Sequence, residues 1–308
     1  MDDNRAAPTM GATEWTLMLV LSVLWGGSFF FYKVLVAQVP PFTVVLGRVG
    51  LAAVMLNLLL IIRRDPVPRD LALWGRFIIL GLLNNVVPFT LFAFGETRIS
   101  SGLASILNAT TPLFGVVVAH LFTADERLSW GKAAGVAFGL AGVAVLVGPD
   151  ALRHAGSGDL LGEAACLGAA LTYAFASLYG RRFRGLPPLK VATGQVTGST
   201  LVLIPLSAAF DAPWTLPMPD ATVWLAFAGI ALFSTAFAYV LYFRILATAG
   251  ATNLLFVTFL LPVSAIGLGV AFLGEAVSAR TLAGMALIGL GLVAFDGRLA
   301  KRLRKGGY

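Results

Sequence analysis

The sequence predicts an all-α polytopic membrane protein. It reads as ten transmembrane helices in two inverted five-helix repeats around a central cavity, with both termini cytoplasmic. Three observations predict it. Apolar stretches of about 20 residues, the length of a bilayer-crossing helix, recur along the whole chain. Lysine and arginine crowd alternate connections. The first half of the chain matches the second in order and spacing.

Taken in order, the spans fall near 14–36, 41–62, 73–94, 98–122, 130–148, 159–180, 188–210, 221–243, 249–273 and 279–297. The breaks between them are made of turn-forming and charged residues. Pro40-Pro41 separates the first two spans, and RRDPVPRD at 63–70 ends the second. GPDALRHAGSGD at 148–159 divides the halves. RRFRGLPP at 181–188 and DAPWTLPMPD at 211–220 bound the seventh span. The chain then divides into an N-terminal cytoplasmic segment (1–13), a first repeat (14–148), an extracytoplasmic connector (149–158), a second repeat (159–297) and a basic cytoplasmic tail (298–308).

Composition excludes other classes. Of 308 residues, 58% are hydrophobic and 12% charged, whereas a soluble domain carries about 25% charged residues. A transmembrane β-barrel would alternate over segments of about 10 residues; these runs are continuous. The net charge of +7 lies mostly in connections and tail, as in a bilayer protein, so the expected partners are lipid and a small-molecule substrate, with no nucleic acid. The oligomeric state is open, and a monomer is compatible with the sequence. Cys166 is the only cysteine and there are two histidines. No intramolecular disulfide, Cys–His metal cluster or cofactor is expected. The start, MDDNRAAPTMGATEW, lacks a basic n-region, and the apolar run after it is too long for a signal peptide, so the first span is expected to be retained.

Orientation follows from the cations. With the N-terminus inside, 17 Lys and Arg residues fall on the inner side and three, Arg98, Arg153 and Arg280, on the outer. That asymmetry is the positive-inside pattern. Lys33 and Arg48 remain within spans.

The duplication is visible residue by residue. PPFTVVLGRV at 40–49 aligns without a gap to PPLKVATGQV at 187–196, and ERLSWGKAAGVAFGLAG at 126–142 aligns to EAVSARTLAGMALIGLG at 275–291. The offset changes only from 147 to 149. Five spans per half is an odd number, so the second copy inserts upside down. Inverted repeats are widespread in secondary transporters, where the halves exchange roles around a central site, although channels carry them too. Gly135, Gly142, Gly284 and Gly291 lie on single helix faces and predict close helix packing within the protein.

LWGGSFFFYK in the first span, PPFTVVLGR in the second, a proline deep in the fourth (Pro112), and an acidic residue before a Gly-rich span, occurring twice, resemble the drug/metabolite transporter superfamily, specifically its ten-helix, EamA-like branch. The resemblance runs from about Trp15 to Phe295. It implies two inverted five-helix repeats around a cavity, and export of amino acids or related small metabolites. Small cation-drug exporters of this superfamily use a first-span glutamate; this first span offers no such residue in its middle, which argues against cationic-drug antiport.

Candidate substrate-binding residues are the polar and aromatic residues inside spans: Trp25, Ser28, Tyr32, Arg48, Asn84, Asn85, Asn108, Tyr173, Gln195, Tyr239 and Asn253. Trp25, Ser28 and Tyr32 are spaced to share a helix face. Asn84 and Asn85 precede Pro88, which removes a helix hydrogen bond. For each residue an interhelical hydrogen bond is the competing role. Arg48 is open between three: snorkelling, a structural pair with Glu96 or Glu163, or contact with a substrate carboxylate through its bidentate guanidinium. Lys33 is expected to snorkel to the interface. His120 is expected to serve as a helix-end residue. The acidic residues Glu14, Glu96, Glu163, Glu275 and Asp296 fall near span ends, so no carboxylate is expected at the membrane midplane. Motifs for ATP use or hydrolysis, GxxxxGK[ST], HExxH and GxSxG, are missing.

The expected function is therefore a secondary transporter of the bacterial cytoplasmic membrane, an exporter by alternating access and not an enzyme. An uptake permease of the same fold, a channel, and an intramembrane enzyme acting on a lipid-linked substrate are the alternatives.

Overall fold

The computed structural model describes residues 11–123, 130–147, 158–254 and 257–296. The basic tail, almost all of the connector, most of the N-terminal segment and Glu126 lie outside the described residues, as does the side chain of Asn253. Among the described residues there is no strand. Seven helices are long and apolar enough to cross a membrane, and three shorter apolar helices accompany them.

The helical rods are α1 (Ala12–Leu35), α2 (Pro41–Ile62), α3 (Leu71–Glu96), α4 (Ser101–Phe122), α5 (Trp130–Val147), α6 (Gly158–Gly180), α7 (Pro188–Leu206), α8 (Ala221–Ala231, Leu232–Phe237 and Ala238–Leu254), α9 (Val257–Leu273) and α10 (Ala279–Asp296). Prolines sit at the first helical position of α2 and α7, where a missing N–H costs nothing. Asp70, Ser100 and Asp220 cap α3, α4 and α8 by accepting N–H bonds from Ala72, Leu103 and Val223.

Three elements depart from the sequence expectation. α4 is interrupted at Ala109 and Thr110, just before Pro112, because proline has no N–H to continue the ladder. The rod α8 does not end at 243 but continues to Leu254; no proline stands in that stretch, and helix carries through Gly250. Finally, α3 and α8 each contain a widened π turn, at Leu82–Val86 and Leu232–Phe237. In α3 the Val87 N–H reaches back to the Leu82 carbonyl, immediately before Pro88. In α8 there is no proline; the Thr235 hydroxyl donates to the Ile230 carbonyl at 2.9 Å, and the Ala238 N–H reaches Phe233. Such turns re-aim side chains and are frequent at functional sites.

Packing repeats between the halves. α2 lies against α7 and α5 against α10, while α3 and α4 flank α6 as α8 and α9 flank α1. The close approaches are reciprocal as well. A Cβ on Gly47 would fall 2.3 Å from the Phe227 ring, and one on Gly194 would fall 2.5 Å from the Phe77 ring. Likewise a Cβ on Gly142 would meet the Gly284 carbonyl at 2.8 Å, and one on Gly291 the Gly135 carbonyl at 2.6 Å. The glycines of α5 and α10 thus pack on each other within the protein, as their spacing predicts.

The ends of α2 and α7 are related in the same way. Each closes on a non-glycine residue in the left-handed region, Arg64 (φ 54°) and Ala212 (φ 43°). Beside each stands an aspartate that binds the start of the other helix. Asp211 accepts the Thr43 N–H at 2.6 Å and its hydroxyl at 2.9 Å, and Asp65 pairs with Lys190.

Candidate functional site

The π turn of α8 packs against α2 and that of α3 against α7, and the polar side chains gather at both places. On one side is Arg48 of α2, 5% exposed. Gly47 lets α8 approach α2, and the Arg48 Nε donates to Thr235 Oγ1 of the α8 π turn at 3.0 Å. Its Nη1 donates to the Tyr32 hydroxyl at 2.8 Å, and Nη2 lies 3.5 Å from Ser28 Oγ. The guanidinium carbon stands 3.7 Å from the centre of the Phe89 ring and 5.1 Å from that of Tyr32. Stacking on an aromatic face and hydroxyl acceptors both stabilise a desolvated cation. None of these partners is negative, and among the described residues no carboxylate forms an ion pair with Arg48. Neither snorkelling nor a structural pair with Glu96 or Glu163 accounts for it.

On the other side is Gln195 of α7, the residue aligned to Arg48. Its Oε1 accepts from Asn84 Nδ2 of the α3 π turn at 3.2 Å, and its Nε2 donates to the Tyr239 hydroxyl at 2.9 Å. Asn85 is fully buried beside the Tyr239 hydroxyl, yet neither atom of its amide closes a hydrogen bond. Tyr173 of α6 packs its ring against Phe89 and Phe92. Of the predicted residues, the structure therefore brings together Ser28, Tyr32, Arg48 and Tyr173 around Phe89, and Asn84, Asn85, Gln195 and Tyr239 around the second turn.

Others go elsewhere. Trp25 shares a helix with Ser28 and Tyr32, packs on the Tyr242 ring 5.6 Å away, and lies between the apolar cluster of Met18 and Leu21 and the main core that holds Tyr32 and Phe89. Asn108 sits at the break in α4, where it accepts the Thr111 hydroxyl. Asn253 lies outside the described side chains. The Lys33 ammonium donates to the backbone carbonyls of Glu96 and Ile99, both at 2.8 Å, at the end of the α3 span. Carbonyls at a helix C-terminus are unpaired and carry partial negative charge, so a cation is held there. His120 lies in the last turn of α4, as expected.

Sequence reasoning missed Phe89, Thr235 and the interior position of Glu96. Phe89 and Tyr239 occupy corresponding positions 150 residues apart, in register with the pairs Trp74/Trp224 and Phe77/Phe227, a signal that would have found Phe89. Glu96 ends its span as expected, but it is fully buried, because α6 packs over that end of α3. Buried side-chain polar atoms without a partner occur at Asn85, Thr90, Glu96 and Ser234 among the described residues. All four are on α3 or α8.

A bundle of long apolar helices around buried polar groups defines a multi-pass membrane protein. Comparison with known proteins gives the family. The profile of the EamA-like transporter family matches residues 13–148 and again 160–295, and the chain belongs to that family. An "Uncharacterized inner membrane transporter YedA" of Escherichia coli K12 is 28% identical over 297 residues, covering 95% of this chain and 90% of the relative. A "Probable terminal-alkyne amino-acid exporter" of Streptantibioticus cattleyicolor is 27% identical over 295 residues, covering 94% and 95%. A solved crystal structure superposes with a TM-score of 0.64 at 19% identity, covering 92% of this chain and 97% of that one, which shows a shared fold.

Proposed function

We propose that the protein is a secondary transporter of the bacterial cytoplasmic membrane that exports amino acids or related small polar metabolites by alternating access. The observation that carries this reading is Arg48, a buried cation without a carboxylate partner among the described residues. Three of its N–H groups point at hydroxyls and others remain for a ligand. A substrate carboxylate supplies the missing counter-charge and fits the planar guanidinium. The aromatic wall of Phe89, Tyr32 and Tyr173 offers a face for the rest of the molecule. The amino-acid exporter from Streptantibioticus supports cargo of this class.

The seven long and three short helices serve as ten spans, the halves are inverted, and both termini are cytoplasmic. The reciprocal contacts between halves and the positive-inside pattern support this. The π turns of α3 and α8 are the places where each half bends against the other. A monomer is sufficient, because the glycine faces of α5 and α10 are covered within the chain.

Counterflow in proteoliposomes tests the proposal with labelled amino acids, nucleosides and cationic dyes. Saturable exchange of amino acids is expected, with loss in Arg48→Gln. Absence of exchange for every compound sinks the proposal. Flux that never saturates would point to a channel, and product formation without translocation to an enzyme.

A further inference from the structure

Each π turn carries two neighbouring polar residues. Asn84 and Asn85 of α3 correspond to Ser234 and Thr235 of α8, in the register of the pairs Trp74/Trp224, Phe77/Phe227 and Phe89/Tyr239. The folded chain keeps that register, because Phe77 and Phe227 fill the same place against Gly194 and Gly47. In each turn one residue of the two reaches the facing half and the other bonds to nothing. Asn84 donates to Gln195 at 3.2 Å, while neither amide atom of Asn85 closes a hydrogen bond. Thr235 accepts from Arg48 at 3.0 Å, while the Ser234 hydroxyl closes none. The member in use differs: it is the first of the pair in α3 and the second in α8. The widened stretch differs by one residue too, spanning five in α3 and six in α8. Asn85 and Ser234 are both buried, where an unpaired polar group is costly. Ser234 also lies beside the part of α1 that serves Arg48: its Oγ is 4.0 Å from the place of a Cβ on Gly27, next to Ser28.

We propose that Ser234 is a second partner of Arg48, and Asn85 a second partner of Gln195, taken up when the protein faces the other side of the membrane. This rests on the alternating-access reading given above. In a transporter built of inverted repeats, the halves exchange roles as the central site changes side. Exchanging them here makes α3 present the second residue of its pair and α8 the first. Asn85 then meets Gln195, and Ser234 meets Arg48. The π turns supply the movement. Neighbouring residues on a helix point about 100° apart, and a π turn holds a surplus residue. Sliding that surplus past the contact by one position puts the neighbouring side chain in its place, while the helix on either side stays intact. Arg48 keeps a hydroxyl and Gln195 an amide in both states. Each state leaves one polar residue per turn unpaired, so the two carry matching costs and a ligand can shift the balance between them.

Distances between spin labels on the full-length protein in liposomes test the exchange without any substrate. Labels at Thr97 and Thr222 read one end of α3 and α8, and labels at Ala72 and Thr248 read the other; all four positions are exposed, and the native Cys166 is buried. Two distance populations are expected at each end. Thr235→Val and Asn84→Ala should deplete the population that matches this structure by about two- to tenfold, the worth of one hydrogen bond. Ser234→Ala and Asn85→Ala should enrich it by a similar factor. Thr235→Ser keeps the hydroxyl and should keep the wild-type ratio; it serves if the Val variant misfolds. The shift from Ser234→Ala should vanish in an Arg48→Met background, and that from Asn85→Ala in a Gln195→Leu background. A single population in every variant overturns the exchange, as does a ratio unmoved by Ser234→Ala and Asn85→Ala. A shift that survives the loss of Arg48 or Gln195 also overturns it. If counterflow fails for every compound, the transport reading falls while the distances still decide the exchange.

Discussion

The Arg48 cluster and the Gln195 cluster occupy corresponding places in the two halves, and they differ in how their polar groups are satisfied. Gln195 uses one amide donor and the amide oxygen in a neutral chain from Asn84 to Tyr239. Arg48 stands on the same backbone, gripped by the other half's π turn, but its partners are hydroxyls and rings. The difference runs through the surroundings: Phe89 gives Arg48 a ring to stack on, and its counterpart Tyr239 gives Gln195 a hydroxyl to bond. A duplicated scaffold has thus been specialised into a charged side and a neutral side. A buried charge left uncompensated weakens the fold unless a ligand completes it; under the proposed function the asymmetry serves binding rather than stability.

Exchanging the two residues breaks the comparison most severely. Gln195→Arg adds a second buried cation in a pocket without ring stacking, and should destabilise the protein by about 3 kcal/mol or more, read as a lower unfolding temperature in detergent. The reverse change, Arg48→Gln, makes the halves alike. It should leave thermal stability near wild type but reduce transport of carboxylate substrates by about 10- to 100-fold, the worth of a charge-assisted hydrogen bond of about 1.5–3 kcal/mol. A large loss of stability with unchanged transport would assign Arg48 to structure.

The glycine–phenylalanine contacts sharpen the symmetric part. Gly47→Ala and Gly194→Ala each push a methyl into the facing Phe227 or Phe77 ring, and each should cost about 1–2 kcal/mol by overpacking. Unequal costs would show that the halves are packed to different tolerances. The smallest effect is expected at the helix ends. Asp211 binds both the Thr43 N–H and hydroxyl in a half-buried place, whereas the Asp65 side chain of the Lys190 pair is 58% exposed. Asp211→Asn should therefore cost about 1 kcal/mol, and Asp65→Asn no more than about 0.5 kcal/mol, falling further with salt. Thermal unfolding of both variants at low and high salt measures the gap.

Much of this was legible in the residues. Except at the junction of α8 and α9, hydropathy and proline punctuation placed the helices to within a few residues, since a membrane-crossing segment must be apolar and long. Ser28, Tyr32, Asn84, Asn85, Tyr173, Gln195 and Tyr239 stand out in the sequence because polar residues inside apolar spans are expensive to keep, and the structure gathers them into two polar clusters. The partners of Lys33 were not legible, because the carbonyls that hold it come from α3 and the connection after it, over 60 residues further along the chain. The continuation of α8 to Leu254 was missed because an arginine within an apolar run looks like a boundary when it need only face outward.

The sequence by itself determined the class of protein, its duplication and the existence of one charged and one neutral member of a matched pair. These follow from composition and from an offset of 147 residues between aligned motifs, neither of which needs coordinates. Only the tertiary structure decided what surrounds Arg48, which ring lies beneath it, and that Glu96 at the end of its span is sealed from solvent. Those facts depend on how closely α6 and α8 approach α3 and α2. That approach is set by glycines whose effect appears only when the facing helix is in place.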